Sequence, residues 1–181
     1  MADILMTPEF RVSFPVVFAP KKNDKGEDRY GVTMLFPKGA DLSALKAAAT
    51  QAAVDEWGAD KTKWPKQIKF PFRDQSEKHY DGYEPGAIFV NATSKGRPGL
   101  VDRQRDDIVD QTEFYPGCYA RATVTFKAYP ARKTKQDVVA CHVNNIQKLR
   151  DGNPLDGRTR AKDDFADDLP PDEGADSSSI F

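Results

Sequence analysis

Cys118-Tyr119-Ala120-Arg121-Ala122-Thr123-Val124-Thr125-Phe126-Lys127-Ala128-Tyr129 alternates small or apolar residues with polar and aromatic ones. Ala120, Ala122, Val124, Phe126 and Ala128 fall on one face of an extended chain, and Tyr119, Arg121, Thr123, Thr125, Lys127 and Tyr129 on the other. A period of two marks a strand with one face turned to a core. The protein therefore contains a β layer, and its outer surface here carries rings and cations.

Working outward, a second alternation runs through Phe10, Val12, Phe14, Val16 and Phe18, with Arg11, Ser13, Pro15 and Val17 between them. Pro15 has no N–H and belongs at an edge or a bulge. Tyr30, Val32, Met34 and Phe36 repeat the pattern after the polar stretch Lys21-Lys22-Asn23-Asp24-Lys25-Gly26, so the two segments predict a hairpin with a long basic tip. Asp41 can cap a helix carrying Leu42, Leu45, Ala49, Ala52 and Trp57 on one stripe, with Gly58 as its stop. Residues 61–86 are interrupted by Pro and predict irregular structure. Ile88 to Ala92, Leu100-Val101 and Val138 to Val143 read as further short strands.

Five or six strands and one helix, not regularly alternating, argue against a doubly wound sheet. They predict a mainly β fold, an OB-fold-like five-stranded barrel with one inserted helix. The expected organisation is a domain over residues 1–160 followed by a disordered acidic tail over 161–181.

Charge divides at the same place. The 181 residues carry 27 Lys and Arg against 28 Asp and Glu, yet from Asp163 to Phe181 there are seven acids and no base. The rest holds 21 acids against all 27 bases, a surplus of six. A basic body with an acidic appendage suggests a nucleic-acid binder or a regulatory tail. No apolar run reaches the length of a membrane span, and the first residues lack the pattern of a signal peptide. Two cysteines, Cys118 and Cys141, do not make a disulfide scaffold, which favours a reducing compartment, the cytoplasm.

The outer face of the quoted strand supplies Tyr119, Arg121, Lys127 and Tyr129 as candidate contacts: rings stack on bases and cations follow phosphates. Trp64, Phe72, Tyr80 and Tyr83, interleaved with Lys66, Lys69 and Arg73, form a second such set. No periodicity in that segment would bury all its rings, although some of them can clamp it to the barrel. Arg97, Arg132 and Lys133 would widen the electrostatic footprint.

Catalytic patterns are weaker. There is no glycine-rich phosphate loop and no Gly-x-Ser-x-Gly. The two histidines are His79 and His142, and Cys141 beside His142 would point to the opposite face of a strand. Neither a metal site nor a cofactor is expected. Asp102, Asp106, Asp107 and Asp110 leave a metal-dependent nuclease as one alternative. A phage structural or interaction module that binds no DNA is another.

The tail places Asp167, Asp168, Asp172, Glu173 and Asp176 ahead of three serines and then Ile180-Phe181. Acids with an apolar tip suit a partner pocket beside a cation. In this the sequence resembles the single-stranded DNA-binding proteins of bacteria and tailed phages, and its body resembles their phage-encoded OB-fold branch. The residues that carry the resemblance are Tyr115-Pro116-Gly117-Cys118-Tyr119-Ala120-Arg121-Ala122 and Val143-Asn144-Asn145-Ile146-Gln147-Lys148-Leu149-Arg150-Asp151-Gly152. Phe70-Pro71-Phe72-Arg73-Asp74 and Ile88-Phe89-Val90-Asn91-Ala92 match less strongly.

The resemblance implies a barrel that coats single-stranded DNA without sequence preference and performs no catalysis. It also implies a tail that recruits replication or recombination proteins, and it leaves homo-oligomerisation open. Bacterial tails of this kind place a proline before the last phenylalanine; here Ile180 stands there, so a phage-encoded partner is as well suited as a host one.

Overall fold

The computed structural model describes residues 3–131, 135–155 and 164–165. Among the described residues nine strands and one long α-helix follow in the order β1 (Leu5–Met6), β2 (Phe10–Lys22), β3 (Asp28–Leu35), α1 (Ser43–Trp57), β4 (Ile68–Lys69), β5 (Phe72–Asp74), β6 (Ile88–Ser94), β7 (Gly99–Val101), β8 (Tyr119–Tyr129) and β9 (Asp137–Arg150). Five of them close on themselves. β2 pairs antiparallel with β3, β3 with β6, β8 with β9 and β8 with β2, while β6 and β9 run parallel. The expected five-stranded barrel is this ring, which is closed but not regular. The four short strands attach to it: β1 to β8, β5 to β6, and β4 and β7 to β9.

The quoted stretch is β8, and its inner residues are all buried, as the alternation predicts. They pack with Phe10, Val12, Met34, Val90 and Val143 in one core. α1 begins at Ser43 with Leu42, not the expected Asp41, in the cap position, while the Asp41 carboxylate accepts hydrogen bonds from the Ser43 backbone N–H and hydroxyl in the turn that leads into the helix. Gly58, at φ 92°, ends it and returns its N–H to the Val54 carbonyl. Leu45, Ala49, Ala52 and Ala53 form its buried stripe; small residues let the helix approach β8 and β9 closely.

The β2 alternation is corrected. Phe10 and Val12 face inward, but Phe14 is 54% exposed and Val17 takes the inner place expected for Val16. Pairing with β3 shifts register between Ser13 and Val16, and Phe14 adopts φ 43°. Pro15 cannot donate to a ladder, so the chain bulges there and the side-chain order flips by one. β9 likewise runs to Arg150, well past Val143. A second bulge, opposite Thr123 and Val124, skips Asn144 in the register and hides the continuation from a period-two reading. Cys118 and Cys141 are buried thiols with pKa values pushed up to about 11 and about 12 by that burial.

Candidate nucleic-acid interface

Register places the outward residues of the ring in rows that cross the strands. Val16 pairs with Gly31, Gly31 with Thr93, Thr93 with His142, and His142 with Thr125. This belt touches all five strands of the ring, and four strand spacings make it roughly 19 Å long. The neighbouring row is Ser13, Thr33 and Asn91, where the Thr33 hydroxyl donates to Asn91 Oδ1 at 2.6 Å. Gly31 keeps the floor low: a Cβ there would stand 2.6 Å from the Ala92 carbonyl oxygen. The groove above the β2, β3 and β6 part of these rows measures about 350 Å³ and is bordered by Phe14, Lys21, Lys22, Arg29 and Tyr30.

One wall is built by the connection from β5 to β6. The buried Gln75 amide donates to the Phe36 and Ile88 carbonyls at 3.0 and 2.9 Å and accepts from the Glu84 N–H at 2.8 Å. The Asp74 carboxylate accepts from the backbone N–H groups of Ser76 and Gly86, which holds it below the usual carboxylate range. Both ends of the connection are thus fixed to the sheet. Between them Tyr83 shares a 2.8 Å hydrogen bond with Ser13, and Tyr80, 53% exposed, lies edge-on to Phe14 with centroids 5.1 Å apart. Burial raises the Tyr83 pKa. Phe14, Tyr80 and Tyr83 are one aromatic cluster beside the groove. Phe14 entered the sequence reading only as a core position; Pro15 was the signal that could have moved it outward.

The remaining predicted residues separate. Trp64 and Phe72 pack against the core, Trp64 donating to the Gly58 carbonyl at 2.7 Å and Phe72 stacking on Phe126 at 6.0 Å. Lys66 and Lys69 are exposed beside them. Arg73 pairs with Glu77 at 2.6 Å and lies 5.0 Å over the Phe89 ring. Arg97 donates to the Val17 carbonyl at 3.2 Å and lies over Phe18. Tyr119 is held between the Arg11 and Arg150 guanidiniums, 5.8 and 3.8 Å from its centroid, and Arg121 donates to Gln147. Lys127 and Tyr129 sit at the other end of β8, about 30 Å of strand away. There the Lys127 amine lies 5.5 Å over the Tyr129 ring, and Tyr129 shares a 2.8 Å hydrogen bond with His142. Arg132, Lys133 and the tail positions from Asp167 to Phe181 lie outside the described residues.

Two of the four carboxylates of the nuclease alternative are committed to turns. Asp102 accepts from the N–H groups of Gln104 and Asp106, and Asp110 from the Thr112 N–H and hydroxyl, which lowers its pKa. Among the described residues no three His, Cys, Asp or Glu side chains converge as a metal site would require. No described helix is long and apolar enough to cross a membrane.

A closed five-stranded ring with a low polar groove, flanked by rings and cations on its outer face, is the architecture of an oligonucleotide-binding barrel. The chain belongs to the single-stranded DNA-binding protein family of Enterobacter phage Enc34, whose model matches residues 4–176. Its fold is similar to the structure of the bacteriophage Enc34 single-stranded DNA-binding protein in complex with single-stranded DNA, with a TM-score of 0.67 at 19% identity over 84% of this chain and 89% of that one. A second structure of the bacteriophage Enc34 single-stranded DNA-binding protein gives 0.66 at 19% identity, covering 90% of each chain. The single-stranded DNA-binding protein gp2.5 of bacteriophage T7 gives 0.61 at 13% identity over 95% of this chain and 97% of that one. Comparison with curated protein sequences gives no match.

Proposed function

We propose that this protein binds single-stranded DNA without sequence preference during phage DNA replication, recombination and repair in the host cytoplasm, by binding alone and without turnover. The observation that carries the reading is the belt across five strands, with the exposed rings of Phe14 and Tyr80 at one end and Lys127 and Tyr129 at the other. Bases have a π face whatever their identity, so stacking on such rings is sequence-tolerant, and cations along the path neutralise phosphates. The Enc34 and T7 proteins of similar fold are single-stranded DNA-binding proteins, the former solved with that ligand bound.

Anisotropy of a labelled oligo-dT strand at two salt concentrations tests it. Affinity should fall as salt rises, with a logarithmic slope of roughly −0.7 per phosphate contacted. No binding at low salt, or binding indifferent to salt, would overturn the reading.

The acidic tail is read as a recruiting arm for replication or recombination proteins and as a competitor for the basic groove. Seven acids against a body with a surplus of six bases give the attraction its sign. Removing residues 163–181 should tighten DNA binding at low salt, and the gain should shrink as screening increases. Equal affinities of the two forms at low salt would refute the competition.

A further inference from the structure

His142 is the midpoint of the belt between β6 and β8, and sequence reading considered it only as a metal ligand. Its ring shares the 2.8 Å hydrogen bond with the Tyr129 hydroxyl and also donates to the Thr93 backbone. One ring nitrogen is therefore occupied as a donor, and in the neutral imidazole the other, Nε2, is an acceptor. Tyr129 must then donate its only hydroxyl proton inward.

Among the described residues, charged groups reach the pair from several elements. Lys127 comes from β8, Arg29 from β3, and Lys95 from the turn after β6. α1 supplies Asp55 and Glu56, which line a cavity shared with Thr125, Lys127 and His142. Burial holds the His142 pKa below its ordinary value, and Lys127, Lys95 and Arg29 add to that effect, while the hydrogen bond to Thr93 opposes it. Free protein thus keeps a neutral imidazole amid three cations.

We propose that Tyr129 and His142 form a phosphate-binding subsite at the β9–β8 end of the belt that takes up one proton when a DNA phosphate occupies it. This deepens the single-stranded DNA reading and rests on it. A phosphodiester placed among Lys127, Lys95 and Arg29 cancels the repulsion that keeps the ring neutral. A solvent proton then adds to Nε2, which becomes a donor to the Tyr129 oxygen. The phenolic proton is released from its inward bond and turns to a phosphate oxygen. No covalent bond other than N–H forms, and the one proton comes from bulk water.

The sign follows. Binding raises the ring's pKa, so affinity increases as pH falls through the interval between the bound and free values, and levels off below the free one. Each unit of rise corresponds to tenfold in affinity. Full-length protein should bind oligo-dT several-fold more tightly at about pH 5.5 than at about pH 8 at constant ionic strength, the range in which histidine titrates. Calorimetry in two buffers of different ionisation enthalpy should show proton uptake.

His142→Gln should still bind but lose both the pH dependence and the uptake, and His79→Gln, at the other histidine, should keep both. Tyr129→Phe, which retains the ring but lacks the hydroxyl, should gain less affinity on acidification than the parent. A parent protein that binds with no proton uptake, or a His142→Gln variant that keeps it, would overturn the subsite and leave the DNA reading standing. No binding at either pH would overturn both. Thermal melting of each variant confirms that it is folded.

Discussion

Trp64, Phe70 and Phe72 pack against the barrel core, whereas Tyr80 and Tyr83, a few residues further along the same proline-broken segment, lie on the outer face of the sheet with Phe14. In composition the two halves are alike: rings interleaved with lysine and arginine. They differ in what the backbone between the rings does. β4 and β5 each add a short strand to the sheet, which carries the first half along the barrel and sends its rings into gaps at the core. After Gln75 the chain leaves the sheet and crosses its outer face, where a tyrosine can bury one edge and keep its hydroxyl on a polar partner. A ring among cations is a contact surface or an anchor according to that path, and composition does not separate them.

The widest separation should come from Phe72→Ala. Phe72 stacks on Phe126 beneath the sheet, and truncating such a ring costs about 3 kcal/mol. Urea unfolding should shift accordingly, while the folded fraction binds oligo-dT with affinity within about twofold of the parent, because the ring contributes to the scaffold and not to the groove. A larger loss of affinity than of stability would place Phe72 in the contact half.

Tyr80→Ala should do the reverse. A base stacked on an aromatic side chain contributes about 1–3 kcal/mol, so affinity should fall about tenfold or more, with the unfolding midpoint nearly unchanged at so exposed a position. Phe14→Ala should act the same way. Unaltered binding in both variants would move the contact surface off this end of the belt.

The lysines offer a finer division. Lys21 borders the groove and Lys127 a separate cavity beside Thr125 and His142 at the other end of the belt, so Lys21→Ala and Lys127→Ala should each make the salt slope shallower by about 0.7. Lys61→Ala and Lys66→Ala, beside the core-facing Trp64, should leave the slope as it is. Equal effects of the two pairs would mean that the DNA passes over both halves.

Much of the barrel could be read from the sequence because the side chains of β8 alternate without a break from Ala120 to Ala128, and those of β6 do so from Val90 to Thr93. The reading failed where a bulge shifts the period by one, at Phe14 in β2 and at Asn144 in β9, since a period of two carries no information about which strand will slip. The outer residues of β8 were legible for the same reason, but their company was not. Tyr119 faces two arginines from β2 and β9, and Tyr129 faces His142, through contacts up to 108 positions apart in the chain. Gln75, whose amide fixes the wall of the groove, has nothing around it in sequence that marks it as buried.

Arg73 stands at the joint of the two halves, and the smallest effect is expected there. Its guanidinium is engaged with Glu77 one turn away and with the face of Phe89, interactions that fix the start of the Gln75 connection. An exposed pair of this spacing contributes about 0.3–0.5 kcal/mol, so Arg73→Gln should lower the unfolding free energy by roughly that amount. Because Glu77 already offsets the charge, the salt slope for oligo-dT should not change. A slope shallower by about 0.7 in Arg73→Gln would instead show the guanidinium leaving Glu77 for a phosphate. The boundary between anchor and contact would then fall before Arg73, directly after Phe72, and the Gln75 connection would be a contact element along its whole length.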